Sequence, residues 1–215
     1  MDPTTEVVPL LGVGILLTAL YLQSESFVDP LVWGVALQSG LIALLLGWLA
    51  WADHNVDFAI LAVLAVGIRV FLIPYVLRRQ IRAFRWRARE LRASQRVTGH
   101  VLAAVALAII AWFVFQQTLA PAFPELGGAL PFVLLIQGLL MLATRANTIV
   151  QVVGYLEEEN AIVFAGALFA RGFPLFIEVV IFLDVLGVVL VGVILSIQRD
   201  VTGTPEEKVL EELTG

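Results

Sequence analysis

Composition decides the broad class of this chain. Its 215 residues are 60% hydrophobic and 14% charged, with two histidines, no cysteine and a formal net charge of −5. A typical soluble domain is about 45–50% apolar and about 25% charged, so a water-soluble fold of this size would leave too much apolar surface exposed. The lack of cysteine excludes disulfides, iron–sulfur ligation and thiol nucleophiles. We therefore expect an all-α, polytopic membrane protein.

Seven apolar segments approach the length of a membrane span, for which about 20 residues are needed. They lie at 6–23, 30–52, 57–77, 98–118, 128–144, 147–169 and 173–197. The fifth segment is short and the sixth contains carboxylates. Breaker and turn clusters such as Asp53-His54-Asn55 and Gly172-Phe173-Pro174 separate neighbouring segments. The sequence therefore predicts a bundle of about seven transmembrane helices.

Basic residues predict the orientation of this bundle. Eight arginines and one glutamate lie in the segment 78–96, between the third and fourth spans. Strongly basic loops stay in the cytoplasm, so seven spans place the N-terminus outside and the C-terminus inside the cell. Eleven of the thirteen Lys and Arg residues then lie on the cytoplasmic side. We expect a multi-pass protein of the inner (cytoplasmic) membrane.

The arginine-rich segment 78–96 also has the residue spacing of an amphipathic helix. In the headgroup layer such a helix attracts anionic lipids by about 1 kcal/mol per basic residue. Docking of a cytoplasmic partner subunit is the alternative, whereas nucleic-acid binding is a poor interpretation of a loop attached to a membrane. The residues expected to make these lipid or partner contacts are Arg78, Arg79, Arg82, Arg85 and Arg89.

The predicted spans divide the chain into three parts. Residues 1–118 contain the first four helices and the arginine-rich segment 78–96. Residues 119–197 form a three-helix module, and residues 198–215 form an acidic cytoplasmic tail.

Acidic residues inside the last two spans are the main candidates for function. An acidic side chain at mid-bilayer costs about 2.5–3.5 kcal/mol even on a lenient insertion scale, so these residues must face protein or water, or be protonated. Desolvation raises the pKa of a carboxyl group, and a carboxyl that titrates near neutrality can accept and release a proton. We predict a proton path that contains Glu157, Glu158, Glu159, Glu178 and Asp184. Arg69 is expected to supply a counter-charge, and Tyr155 lies on one polar stripe of the sixth segment with Glu158 or Glu159.

A static role is the alternative for the same groups, because ion pairs between acids and arginines can lock helices together. Three consecutive glutamates sweep about 200° of a helix, so they cannot all lie on one stripe. Either the helix distorts near Gly154 or one glutamate meets another subunit. Gln38 and Gln137 are expected to make interhelical hydrogen bonds.

Two motifs carry a resemblance to a known family. The first is Gly154-Tyr155-Leu156-Glu157-Glu158-Glu159-Asn160, and the second runs from Pro174-Leu175 through Glu178 to Leu183-Asp184-Val185. They resemble hydrogenase-4 component E, a membrane subunit of group 4 nickel–iron hydrogenase and formate hydrogenlyase complexes. The last three spans are similar, more loosely, to the K subunit of complex I and the C subunit of multi-subunit cation/proton antiporters.

The resemblance implies a proton-translocating module between antiporter-like membrane subunits and the other membrane and cytoplasmic subunits of an oxidoreductase complex. Glu178 matches the second of two intramembrane glutamates of the K subunit, and Glu159 lies three residues after the position of the first. The chain has neither an H-E-x-x-H nor a G-x-S-x-G motif. We expect no catalytic site, metal or cofactor on it. An antiporter component and a purely structural scaffold remain the alternative functions.

Overall fold

The computed structural model of the protein describes residues 4–83, 97–121, 127–145 and 147–169, together with positions 180, 182, 183, 186, 187 and 189. Every regular element in these ranges is helical. The elements are α1 (Thr4–Ser24), α2 (Val28–Ala52), α3 (Val56–Ala65), a π-helical segment (Val66–Leu72), α4 (Ile73–Ala83), α5 (Val97–Thr118), α6 (Ala129–Thr144) and α7 (Thr148–Phe169).

Four of these helices are long and apolar enough to cross a membrane, which indicates a multi-pass membrane protein. They are Glu6–Ser24, Val28–Ala52, Val56–Arg79 and Thr98–Thr118, and they match the first four predicted spans within about two residues. The third crossing is continuous through α3, the π-helical segment and the first part of α4.

The other three predicted spans agree less completely with the structure. Helix α6 has only 16 residues, and α7 has 22 residues that include three glutamates. The seventh predicted span, 173–197, lies mostly outside the described residues, although each of its six described positions is helical. The all-α fold is thus confirmed. Within the described residues four helices have the length of a membrane span, and the full set of seven spans stays a prediction.

Local sequence signals explain two of the helix starts. The side-chain oxygen of Asn55 accepts a hydrogen bond of 2.9 Å from the backbone N–H of Asp57 at the start of α3. Asn147 does the same for Ile149 at the start of α7, also at 2.9 Å. An asparagine at this position satisfies one of the N–H groups that have no partner inside the helix.

Among the described residues, the π-helical segment has irregular backbone hydrogen bonding and contains a candidate functional residue. The backbone N–H of Ile73 bonds to the carbonyl oxygen of Ile68, five residues earlier. Such insertions rotate the side chains that follow and occur frequently at functional sites. This segment contains Arg69, whose side chain is directed into the bundle and is 3% exposed.

Helix α2 lies at the centre of the bundle, where it packs against α1, α3, α4 and α7, while α6 and α7 pack against each other most closely. Helix α5 is peripheral and packs on α6 and α1. Large apolar side chains such as Leu102 and Phe113 on α5 are more than half exposed. A surface of this kind suits a lipid environment and not water.

Candidate functional site

The three consecutive glutamates of α7 diverge toward three different neighbours. Glu157 faces Gln38 of α2, Glu158 lies against Gly138 of α6, and Glu159 pairs with an arginine of the π-helical segment. Because α7 is helical without interruption from Thr148 to Phe169, no distortion near Gly154 is needed to separate them.

Arg69 and Glu159 form a buried ion pair. Arg69 Nη2 lies 3.1 Å from Glu159 Oε1, and the two side chains are 3% and 1% exposed. Removing charges from water costs several kcal/mol per ion, which is recovered only when the pair is close and further hydrogen bonds support it. The pair joins the third crossing to α7.

Asn160 provides the additional hydrogen bonds. Its Oδ1 atom accepts a bond of 2.9 Å from Arg69 Nη1, and its Nδ2 atom donates to Gln38 Oε1 at 2.9 Å and to Ser39 Oγ at 3.1 Å. The asparagine thus connects α7 to both α2 and the π-helical segment. We call Gln38, Ser39, Arg69, Glu157, Glu159 and Asn160 the buried polar cluster.

Glu157 differs from Glu159 although both are fully enclosed. Its side chain is 0% exposed, and Gln38 is its polar neighbour. Within the part of the chain that the structure describes, neither carboxyl oxygen of Glu157 has a hydrogen-bond partner of normal geometry. A buried polar atom without such a partner is rare in native proteins and calls for a physical explanation.

Glu158 and Tyr155 occupy the edges of the cluster and are half-buried. A β-carbon at Gly138 would lie 2.7 Å from Glu158 Cγ, so this glutamate rests on the backbone of α6. A β-carbon at Gly187 would lie 3.3 Å from Glu159 Oε2 and 3.6 Å from Tyr155 Cε1. Gly187, a described position of the seventh predicted span, therefore lies against α7 at the level of the ion pair.

A second set of polar contacts lies near the ends of α1 and α6. Gln23 Nε2 donates to the carbonyl oxygen of Gln137 at 2.8 Å, and Gln137 Nε2 donates to that of Ala104 at 2.8 Å. Arg145 Nη2 donates to the carbonyl oxygen of Gln23 at 2.8 Å. The expectation that Gln38 and Gln137 make interhelical hydrogen bonds is confirmed.

Several predicted site residues lie outside this cluster. Arg78 Nε is 3.6 Å from Asp29 Oδ1, and the Arg78 guanidinium lies 4.8 Å from the centre of the Trp33 ring. Arg79 is exposed. Glu178, Asp184, Arg85, Arg89 and the side chain of Arg82 lie outside the described residues, as does the tail 198–215.

Sequence reasoning missed the central position of Asn160 and the part played by Ser39. Asn160 stood next to the recognised glutamates, and a polar amide in an apolar span is a signal for an interhelical bond, so it could have been identified. Among the described residues, no group of three or more His, Asp or Glu side chains is placed to hold a metal ion.

Comparison with known proteins gives one relative. The chain is similar to a Mycobacterium tuberculosis protein described as uncharacterized protein Rv0085, with 28% identity over 160 residues that cover 71% of this chain and 73% of the relative. No protein-family model matches the chain, and no solved structure matches it.

Proposed function

We propose that the chain is a non-catalytic membrane subunit of a group 4 hydrogenase or complex I-like assembly and contributes intramembrane carboxylates to a proton path. The observation that carries this proposal is the presence of two fully buried carboxyl groups, Glu157 and Glu159, on one helix of a membrane-type bundle. Acidic side chains inside a membrane carry a high free-energy cost. They face the interior of the helix bundle and mark ion or proton pathways.

Two further observations support it. Asn160 and Glu159, which belong to the motif that resembles hydrogenase-4 component E, are both in the buried polar cluster. Glu159 also lies beside Gly187, which follows the second motif by two residues. A proton route that passes laterally from α7 to the seventh predicted span, with its Glu178 and Asp184, follows from this contact as a proposal.

The test is isolation of the intact assembly. The tagged full-length chain would be purified from its native membrane in a mild detergent, separated by blue-native electrophoresis, and its partners identified by mass spectrometry. The proposal expects a nickel–iron large subunit and antiporter-like membrane subunits in the same band. Antiporter-like subunits without a hydrogenase subunit would instead establish the cation/proton antiporter alternative, and a chain that migrates alone would contradict both.

A purely structural scaffold is the second candidate, and the Arg69–Glu159 pair favours it because a closed ion pair holds helices together without moving protons. The two functions differ in reconstituted vesicles. In the intact complex, a proton path predicts that Glu178→Gln reduces proton translocation while the subunits remain assembled. A scaffold predicts unchanged translocation in Glu178→Gln, and loss of assembly when Glu159 and Glu178 are both removed.

A further inference from the structure

The buried polar cluster contains more acid than base. Glu157 and Glu159 are both enclosed, but Arg69 is the cation of the cluster and its guanidinium already contacts Glu159 and Asn160. Glu157 is closed off from bulk solvent, and among the described residues no further cation is placed to pair with a second ionised carboxylate. An isolated buried charge is so costly that the group takes up a proton and becomes neutral instead.

Within the described ranges, α2 and α6, the helices that pack most extensively on α7, offer Glu157 no cation. Helix α6, Ala129–Thr144, contains no charged residue, and α2 contains only Asp29, which lies in its first turn. On α7 itself the neighbouring charge is Glu158, which repels a second negative charge. Helix α1 contains no Lys or Arg either. Every ionisable group on these four helices is therefore acidic.

A bound metal cation does not fit the same position. Hard cations require several oxygen ligands, whereas the polar group next to Glu157 is the Gln38 amide. The Gln38 Oε1 atom is already the acceptor of Asn160 Nδ2, so the atom left to face Glu157 is the nitrogen donor Nε2. A nitrogen donor stabilises a carboxyl oxygen and repels a cation.

We propose that Glu157 is a proton-binding site, occupied at neutral pH as a neutral carboxylic acid, whose carbonyl oxygen faces the Gln38 amide nitrogen. The Gln38–Asn160 bond links this site to the Arg69–Glu159 pair. The proposal rests on the proposed function for the use of that proton, but its occupancy is a property of this chain alone.

Infrared spectroscopy of the purified full-length chain in lipid nanodiscs tests the occupancy directly. At neutral pH, the wild-type minus Glu157→Gln difference spectrum is expected to contain the C=O stretch of a protonated carboxyl group. The matched control is Glu159→Gln, whose difference spectrum is expected to contain carboxylate bands and no protonated-carboxyl band. These outcomes do not depend on any partner subunit, so they are separate from the isolation experiment above.

A second variant keeps the proposal testable if Glu157→Gln does not fold. Gln38→Leu removes the amide donor, so the protonated-carboxyl band of Glu157 is expected to move to higher frequency with its intensity retained. Carboxylate bands in place of the protonated band in the Glu157→Gln difference spectrum would overturn the proposal. Loss of the protonated band when sodium is added would also overturn it, because the site would then bind a cation.

Discussion

Gly138 of α6 and Gly154 of α7 face each other across the closest helix contact of the bundle. A β-carbon at Gly138 would lie 2.9 Å from the Gly154 carbonyl oxygen, and a β-carbon at Gly154 would lie 3.1 Å from that of Gly138. Because backbone atoms are the obstacle, the helices themselves would have to separate to admit a side chain. Small residues at crossing points allow this kind of approach in membrane proteins.

We therefore predict that Gly154→Val destabilises the bundle by about 1–3 kcal/mol, the usual cost of overpacking a closed interior. Thermal unfolding in detergent, followed by the fluorescence of the five tryptophans, measures the loss. The matched control is Gly47→Ala on α2, where a β-carbon would meet nothing within 4 Å. Equal melting temperatures for the two variants would contradict the close contact of α6 and α7.

The Arg69–Glu159 pair makes a different prediction, because each partner stabilises the other. Glu159→Gln alone removes the carboxylate that contacts the buried guanidinium and is expected to cost about 3–5 kcal/mol. Adding Arg69→Met removes the buried positive charge as well, so the double variant is expected to be more stable than Glu159→Gln alone. A double-mutant cycle of melting temperatures measures the coupling, and purely additive effects would show that the pair does not form.

Asn160→Ala is expected to destabilise the chain by about 1–3 kcal/mol, since it removes the donor of Gln38 and the acceptor of Arg69 while both remain buried. Gln117→Ala is the control, because Gln117 lies on the exposed surface of α5. Both variants shorten a side-chain amide to a methyl group. A loss of stability in Gln117→Ala as large as that in Asn160→Ala would argue against a central role for Asn160.

Apolar length was sufficient to predict the first four spans, because a spanning helix is defined by its own composition. The first four predicted spans lie within about two residues of the observed helices. The π-helical segment was not predicted. It lies in a crossing that is apolar on nearly all sides, so side-chain periodicity does not reveal an added residue in the turn.

The sequence identified the ionisable residues of the buried polar cluster but neither Asn160 nor Ser39, and it left open which glutamate contacts Arg69. Glu157, Glu158, Glu159 and Arg69 were recognised because ionisable groups are conspicuous in apolar helices. Which glutamate contacts Arg69 depends on how α7 is rotated about its own axis relative to the third crossing, which lies about 90 residues earlier in the sequence. Helix packing fixes that rotation. The same tertiary information separates Glu159, which pairs with Arg69, from Glu157, which has no cation beside it among the described residues.

The last prediction concerns anionic lipid and the arginines in α4. Arg78 is already held by Asp29 and the Trp33 ring, whereas Arg79 is exposed and its charge is free to attract a headgroup. Arg79→Gln is expected to reduce the anionic lipid retained by the purified chain, as measured by native mass spectrometry, with an unchanged melting temperature. Arg78→Gln is expected to lower the melting temperature and leave lipid retention unchanged. It removes an ion pair and a cation–π contact that together contribute about 1 kcal/mol, while Arg79 stays in place. Equal lipid retention in both variants at low salt would contradict the assignment, since electrostatic attraction at the membrane surface is strongest there.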